Sequence, residues 1–235
     1  MKIALLSTFT SVFLDLIIEQ IYAQGLSIDC LILDSKGLSE RDLKIIQERT
    51  GGFFSTYQPE KFESYAIPHF YVTNHNSDSA INIVKNRNID VVVNAGTPRI
   101  LGSNILQAPK VGVVNCHPGL LPEFRGCTCV EWAIYLDEQV GNTVHFMNSK
   151  IDEGPVILRG PMTFSKEDTY QSIRIKVYQE NAALMAKGLK KIAVESLDPE
   201  TLPLQGEGRY FQVIEEGKMQ DMLLKIRDRK YKYQL

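Results

Sequence analysis

Residues 113–126, VVNCHPGLLPEFRG, end an apolar run on three polar or reactive side chains and then break into a loop. Residues 111–114, Val-Gly-Val-Val, read as a buried strand closed by Asn115, Cys116 and His117. Pro118, Gly119, Pro122 and Gly126 mark the loop that follows. Side chains alternate along a strand, so Asn115 and His117 share one face and Cys116 takes the other. Pro118 biases His117 towards extended backbone, which carries the alternation through the histidine. An amide beside an imidazole at a strand end suits a reaction in which an oxygen gains negative charge. The amide hydrogen-bonds that oxygen, and the imidazole donates or takes a proton. A histidine before proline is also a common structural residue, so the motif alone leaves both readings open.

Strand and helix signals alternate on the N-terminal side. Residues 2–7 (KIALLS) have strand length, and Phe13, Leu14, Ile17, Ile18 and Ile21 recur at helical spacing. Residues 26–33 predict a strand, 39–50 a helix, 67–73 a strand, 77–88 a capped helix and 89–96 a buried strand. Residues 51–65 carry Gly-Gly, a Pro and no clear period, and are expected to be loop. Beyond the motif, 141–148 alternates like a strand and 155–164 suggests one more. SKED at 165–168 resembles a capping box opening a helix to about residue 194, with Tyr170, Ile173, Val177 and Leu184 on its core face. The pattern predicts an α/β fold, a Rossmann-like, largely parallel sheet flanked by helices. A main domain over 1–195 and a small C-terminal subdomain over 196–235 are expected.

Composition narrows the function classes. Hydrophobic residues make up 44% and charged residues 23% of the 235, ordinary values for a globular chain. A net charge of −2 gives no reason to expect nucleic acid as a partner. The first twenty residues carry interrupting Ser, Thr and Asp and no small-residue cleavage site, and no run approaches the roughly 18 apolar residues of a membrane span. The four cysteines are sparse, so they read as reduced thiols in a cytoplasmic protein away from membranes. Cys127 and Cys129 with His117 do not make a zinc set, so no metal is expected. Asp152 lies in a polar loop closed by Gly154 and Pro155; it either returns a carboxylate towards His117 or is a plain turn. Trp132 reads as helix packing.

Three linked segments, NCHPGLLPEFRG (115–126), GNTVHF (141–146) and DEGPVI (152–157), resemble in order and spacing the signature of the folate-dependent formyltransferase family. Members move a formyl group from 10-formyltetrahydrofolate to an amine. VVVNAGTPRIL at 91–101 is similar to the family segment that holds the pterin ring. The resemblance is strong over 89–160, at fold level before that, and weak after 195. It implies that Asn115 and His117 stabilise the tetrahedral intermediate, with His117 also handling protons. Asp152 would orient the histidine and an ordered water. Arg99, Ile100 and Leu101, with the backbone near Asn148 and Ser149, would bind the pterin.

Among the branches of that family, the phosphoribosyl-glycinamide one carries a Gly-Ser-Asn phosphate loop after its first strand. Here that position reads LLSTFTSVF, without glycine, and Gly119 stands where that branch has Ser. The methionyl-tRNA branch carries a longer C-terminal domain and a basic face, and the formyl-folate hydrolase branch carries an extra domain. The chain therefore resembles the compact sugar N-formyltransferases, and a nucleotide-linked amino deoxysugar is the expected acceptor. Gly119, Arg125, Tyr210 and Phe211 are the expected acceptor-binding residues. Tyr210 or Phe211 would stack on a nucleobase, or the tail would form a hairpin and a helix supporting a homodimer. Another amine acceptor, or a non-catalytic folate- or nucleotide-binding module, are the alternatives.

Overall fold

A computed structural model describes residues 1–54 and 64–235. In chain order the elements are β1 (Ile3–Thr8), α1 (Leu14–Ala23), β2 (Cys30–Asp34), α2 (Glu40–Thr50), β3 (His69–Val72), α3 (Asp78–Asn86), β4 (Val91–Asn94) and α4 (Ser103–Leu106). They continue as β5 (Gly112–His117), β6 (Arg125–Gly126), α5 (Cys129–Tyr135), β7 (Gly141–Phe146), β8 (Val156–Pro161), α6 (Tyr170–Glu195), β9 (Tyr210–Phe211) and α7 (Glu216–Arg227). The loop expected over 51–65 falls in part on residues 55–63, which lie outside the described residues.

Seven strands form one sheet in the order β3-β2-β1-β4-β5-β7-β8. The first five run parallel, while β7 is antiparallel to both β5 and β8. Every residue of β1 and β2 is buried, as a strand covered on both faces requires. One cover comes from α1 and α6 through Ile17, Ile21, Leu184 and Leu189. The other comes from α3 and α4 through Ala80, Ile81, Val84 and Ile105. Strand order reverses between β1 and β4, and ligands of such sheets collect beyond the carboxyl ends at that reversal. β4 and β5 end there on Asn94, Asn115 and His117.

Two local expectations change. The α6 cap is Thr169, whose hydroxyl accepts from Ser172 N–H at 3.2 Å, rather than the SKED box. Asp168 is drawn instead into an ion pair with Lys176 at 2.7 Å, and it closes a turn back onto Ser165 N–H. The tail is not a hairpin. Its β9 pairs in parallel with β6, and Met222, Ile226 and Tyr231 share a core with Val130, Ile134, Ile173 and Val177 of α5 and α6.

Candidate active site

Register explains the grouping of the polar side chains. Asn115 of β5 lies opposite His145 of β7, and His117 opposite Thr143, so all four project on one face of the sheet. Asp152 arrives from the loop between β7 and β8, in a left-handed conformation with φ of 56°. Its Oδ2 lies 3.4 Å from His117 Nδ1 and its Oδ1 3.8 Å from His145 Nε2. Gly126 N–H donates to Oδ2 at 2.9 Å, and Gln205 Nε2 donates to the carbonyls of Asp152 (3.0 Å) and Gly154 (2.6 Å). The carboxylate is thus held from three segments of the chain.

The hydrogen bonds decide which ring nitrogens carry protons. His117 Nε2 sits 2.8 Å from the Phe124 carbonyl, so Nε2–H donates there and Nδ1 is left facing Asp152. His145 Nδ1–H donates to the Phe146 carbonyl at 2.9 Å, and its Nε2 accepts from Asn115 Nδ2 at 3.2 Å. Asn115 Oδ1 accepts from Asn94 Nδ2 at 3.0 Å. Asn115 is therefore fixed at both ends of its amide, and its second Nδ2–H is left for a ligand. Burial holds the His117 imidazole below its ordinary value, with Asp152 and the Phe124 carbonyl opposing. Burial pushes His145 down to about 4, with Asp152 opposing, so its ring is neutral near pH 7 and can accept from Asn115.

Two cavities share Asn94 and Asn115 in their walls. The first, about 220 Å³, lies between residues 99–101 and 147–152 and includes His145 and Asp152. All five residues expected at the pterin, Arg99, Ile100, Leu101, Asn148 and Ser149, line it. The second, about 190 Å³, is walled by Phe13, Leu16, Ile17, Pro118, Tyr178 and Asn181, and among the described residues none that lines it is charged. Cys116 lines this second cavity as a thiol whose pKa is raised by burial.

Comparison with known proteins adds a family to this geometry. Residues 1–189 match the family described as formyl transferase. The chain belongs to the formyl transferase family. A curated relative, the bifunctional polymyxin resistance protein ArnA of Wigglesworthia glossinidia brevipalpis, is 30% identical over 60% of this chain, a segment spanning 21% of that relative. Phosphoribosylglycinamide formyltransferase from Anaplasma phagocytophilum superposes with a TM-score of 0.62 at 25% identity, covering 92% of this chain and 99% of the other. The formyltransferase PseJ from Anoxybacillus kamchatkensis, solved with UDP-4,6-dideoxy-4-formamido-L-AltNAc and tetrahydrofolate, has a TM-score of 0.53 at 17% identity, covering 91% and 86%.

The four residues expected at the acceptor stand apart from both cavities. Arg125 is buried and donates to Gln205 Oε1 (3.1 Å) and the Gly206 carbonyl (3.0 Å), tying β6 to the segment that grips Asp152. Phe211 stacks on Phe124 at 5.2 Å and also meets Trp132, so it is partly buried against the core, while Tyr210 is half exposed beside Gly126. Gly119 lies under His117: a Cβ there would be 2.7 Å from both His117 Nε2 and the Phe124 carbonyl oxygen. His145 is not among the residues the sequence points to, although it lies in the GNTVHF segment that carries the resemblance. Its signal was the antiparallel pairing of two strands with polar residues at alternate positions. Tyr178 and Phe13, ring centroids 4.4 Å apart, meet only in the fold, since they sit on α6 and at the cap of α1.

Proposed function

We propose that this formyl transferase moves a formyl group from 10-formyltetrahydrofolate to the amine of a nucleotide-linked amino deoxysugar. The observation that carries the reading is the pair of cavities meeting at Asn115, one for the donor and one for an acceptor, the second uncharged among its described walls. The first cavity fits the donor. It offers the amides of Asn94 and Asn115 with the aliphatic side chains of Ile100, Leu101 and Met147, and Ile100 and Ile151 expose apolar surface at 83% and 50%. A flat heteroaromatic ring with a polar edge needs that mixture.

The donor, once bound, supplies the formyl carbon as electrophile. The free Nδ2–H of Asn115 serves an oxygen that gains charge, worth roughly 3–4 kcal/mol of barrier for such a donor. As the neutral amine adds to the formyl carbon, His117 takes its proton at Nδ1 and the Asp152 carboxylate holds the imidazolium that results. The proton then passes to N10 of the leaving tetrahydrofolate as its bond to the formyl carbon breaks. His145 keeps the Asn115 amide turned correctly.

The second cavity supports the acceptor class. A phosphate at this position would call for a cation or a glycine-rich loop, and among the described residues the walls instead hold Phe13, Tyr178 and the Asn181 amide. A deoxysugar ring, apolar on one side and sparing in hydroxyls, suits them. Phe54 stands edge-on to both Phe13 (5.0 Å) and Tyr178 (5.7 Å), and Phe53 follows it with 59% exposure. This aromatic run leads from the cavity to the surface and offers a stacking face for a nucleobase. Incubation with 10-formyltetrahydrofolate and a panel of dTDP-, UDP- and GDP-linked amino sugars, glycinamide ribonucleotide and methionyl-tRNA tests the reading. Tetrahydrofolate is expected with a nucleotide sugar; turnover with glycinamide ribonucleotide or the tRNA alone would replace the acceptor.

A further inference from the structure

We infer that Asn76, backed by Asp34 and His75, is a positioning residue for the formyl donor, clamping residues 97–102 as one wall of the donor cavity. The inference rests on the donor reading above. Residues 95–102 follow β4, yet their firmest anchors come from the far side of β1, at the ends of β2 and β3. Asn76 Nδ2 donates to the Ile100 carbonyl at 2.9 Å, while its Oδ1 accepts from Gly102 N–H at 2.7 Å. This two-point grip treats the loop backbone as a neighbouring strand would.

Behind it, Asp34 is fully buried and takes Arg99 on both oxygens, at 2.8 and 3.0 Å. Arg99 also donates to the Thr73 carbonyl at 3.0 Å. Its guanidinium is committed to the clamp, so the donor meets the loop that Arg99 fixes and not a free cation. His75, also fully buried, donates from Nε2 to the Ile32 carbonyl at 2.9 Å and accepts the Thr97 hydroxyl at Nδ1, 2.6 Å. Burial keeps this imidazole below its ordinary value, and the neutral ring can make both bonds.

Three side chains from one crossover thus grip four residues of a loop whose Ile100 is otherwise 83% exposed. Arg99, Ile100 and Leu101 line the donor cavity directly. A loop released from the clamp samples open shapes, and apparent donor affinity falls by the fraction of time it is competent.

Asn76 is exposed, so its substitution leaves the core intact. Asn76→Ala removes both bonds, whereas Asn76→Asp keeps an acceptor for Gly102 and loses the donor to Ile100. Calorimetric titration with 5-formyltetrahydrofolate and the melting temperature are read on wild type and both variants. Asn76→Ala is expected to weaken binding about tenfold and Asn76→Asp by less, with melting within about 2 °C of wild type. Equal affinity in variants and a binding wild type overturns the clamp alone. A loss of affinity that follows a fall in melting of more than about 5 °C assigns Asn76 to the fold and overturns it too. A wild type that does not bind the folate overturns the donor reading and the clamp with it.

Discussion

Gly154→Ala tests whether the placement of Asp152 controls the reaction. A Cβ at Gly154 would stand 1.8 Å from the Phe146 carbonyl oxygen and 2.8 Å from its carbon. That oxygen belongs to the end of β7, which is paired on both sides and cannot yield by a rotamer change. The loop must retreat by about 1.2 Å to reach the 3.0 Å that real Cβ contacts keep. Retreat breaks the Phe146 N–H bond to the Pro155 carbonyl (2.9 Å) and loosens the Gln205 grip on Gly154 (2.6 Å). It also carries Asp152 away from His117, already 3.4 Å off. Overpacking of this kind costs about 1–3 kcal/mol, or about 3–10 °C of melting temperature at this chain length. A displacement of about 1 Å at a catalytic group costs about a hundredfold in rate, so kcat/KM should fall about that far. The assay is formyl transfer at least about 15 °C below the variant's own midpoint, so that unfolding does not account for the loss. A folded Gly154→Ala enzyme within about threefold of wild type would refute the claim that this loop sets the carboxylate.

Gly119→Ala should break the His117 Nε2–H bond to Phe124, because the new methyl lies 2.7 Å from both atoms; kcat is expected to fall about ten- to a hundredfold, and an unchanged imidazole tautomer by nitrogen NMR would contradict this. Asp152→Asn keeps an acceptor for Gly126 N–H but removes the charge beside two buried imidazoles, so kcat/KM should drop about 10²–10⁴-fold while melting changes little. Acid should destabilise the fold through His145, whose folded value of about 4 lies below the 6.5 of the unfolded chain. Its contribution, roughly 3 kcal/mol, is fully present above about pH 6.5 and is lost as pH falls towards 4. His145→Gln, which can still accept from Asn115, should show a shallower loss of melting temperature between pH 7 and 4.5; identical slopes would exclude His145 as the source.

Where local chemistry decides structure, it was readable in one sequence. The continuous apolar runs of β1, β2 and β4 require cover on both faces, and the period-two logic of β5 puts Asn115 and His117 together from sequence alone. Asp152 was harder, since Asp-Glu-Gly-Pro is turn chemistry and only the return of the loop across Gly126 gives its carboxylate a partner. Arg125 and Phe211 suggest acceptor contacts by type alone, a cation and an aromatic. Both are instead absorbed by the segment that returns through residues 205–211. A residue type signals a possible contact, but burial against a distant segment decides whether that contact is left for a ligand.

The two cavities differ in the same way, and the difference explains why the reaction is easier to read than its acceptor. The donor cavity is built largely from two short runs, 99–101 and 147–152, whose backbone follows directly from strands β4 and β7. Its walls are set by local sequence and by anchors such as Asn76. The cavity proposed for the acceptor shares such walls, Asn94–Gly96 with Asn115, Cys116 and Pro118 at the ends of β4 and β5, but is closed by side chains from elements far apart in the chain, Phe13, Leu16 and Ile17 at α1 and Tyr178 and Asn181 on α6. Tyr178 is held in turn by Arg174, which bonds its hydroxyl at 2.6 Å and lies 3.7 Å from the buried Glu131 carboxylate of α5. Changing one of these positions reshapes the acceptor cavity while the Asn115–His117–Asp152 group, carried on β5 and the following loops, stays as it is. On the proposed reading, acceptor choice turns on Phe13, Tyr178 and the buried pair behind them. A Tyr178→Ala enzyme should change which amine it formylates, by altered KM for the acceptor, with its affinity for the folate donor unchanged. Equal loss towards donor and acceptor would mean that the two cavities are not separate sites.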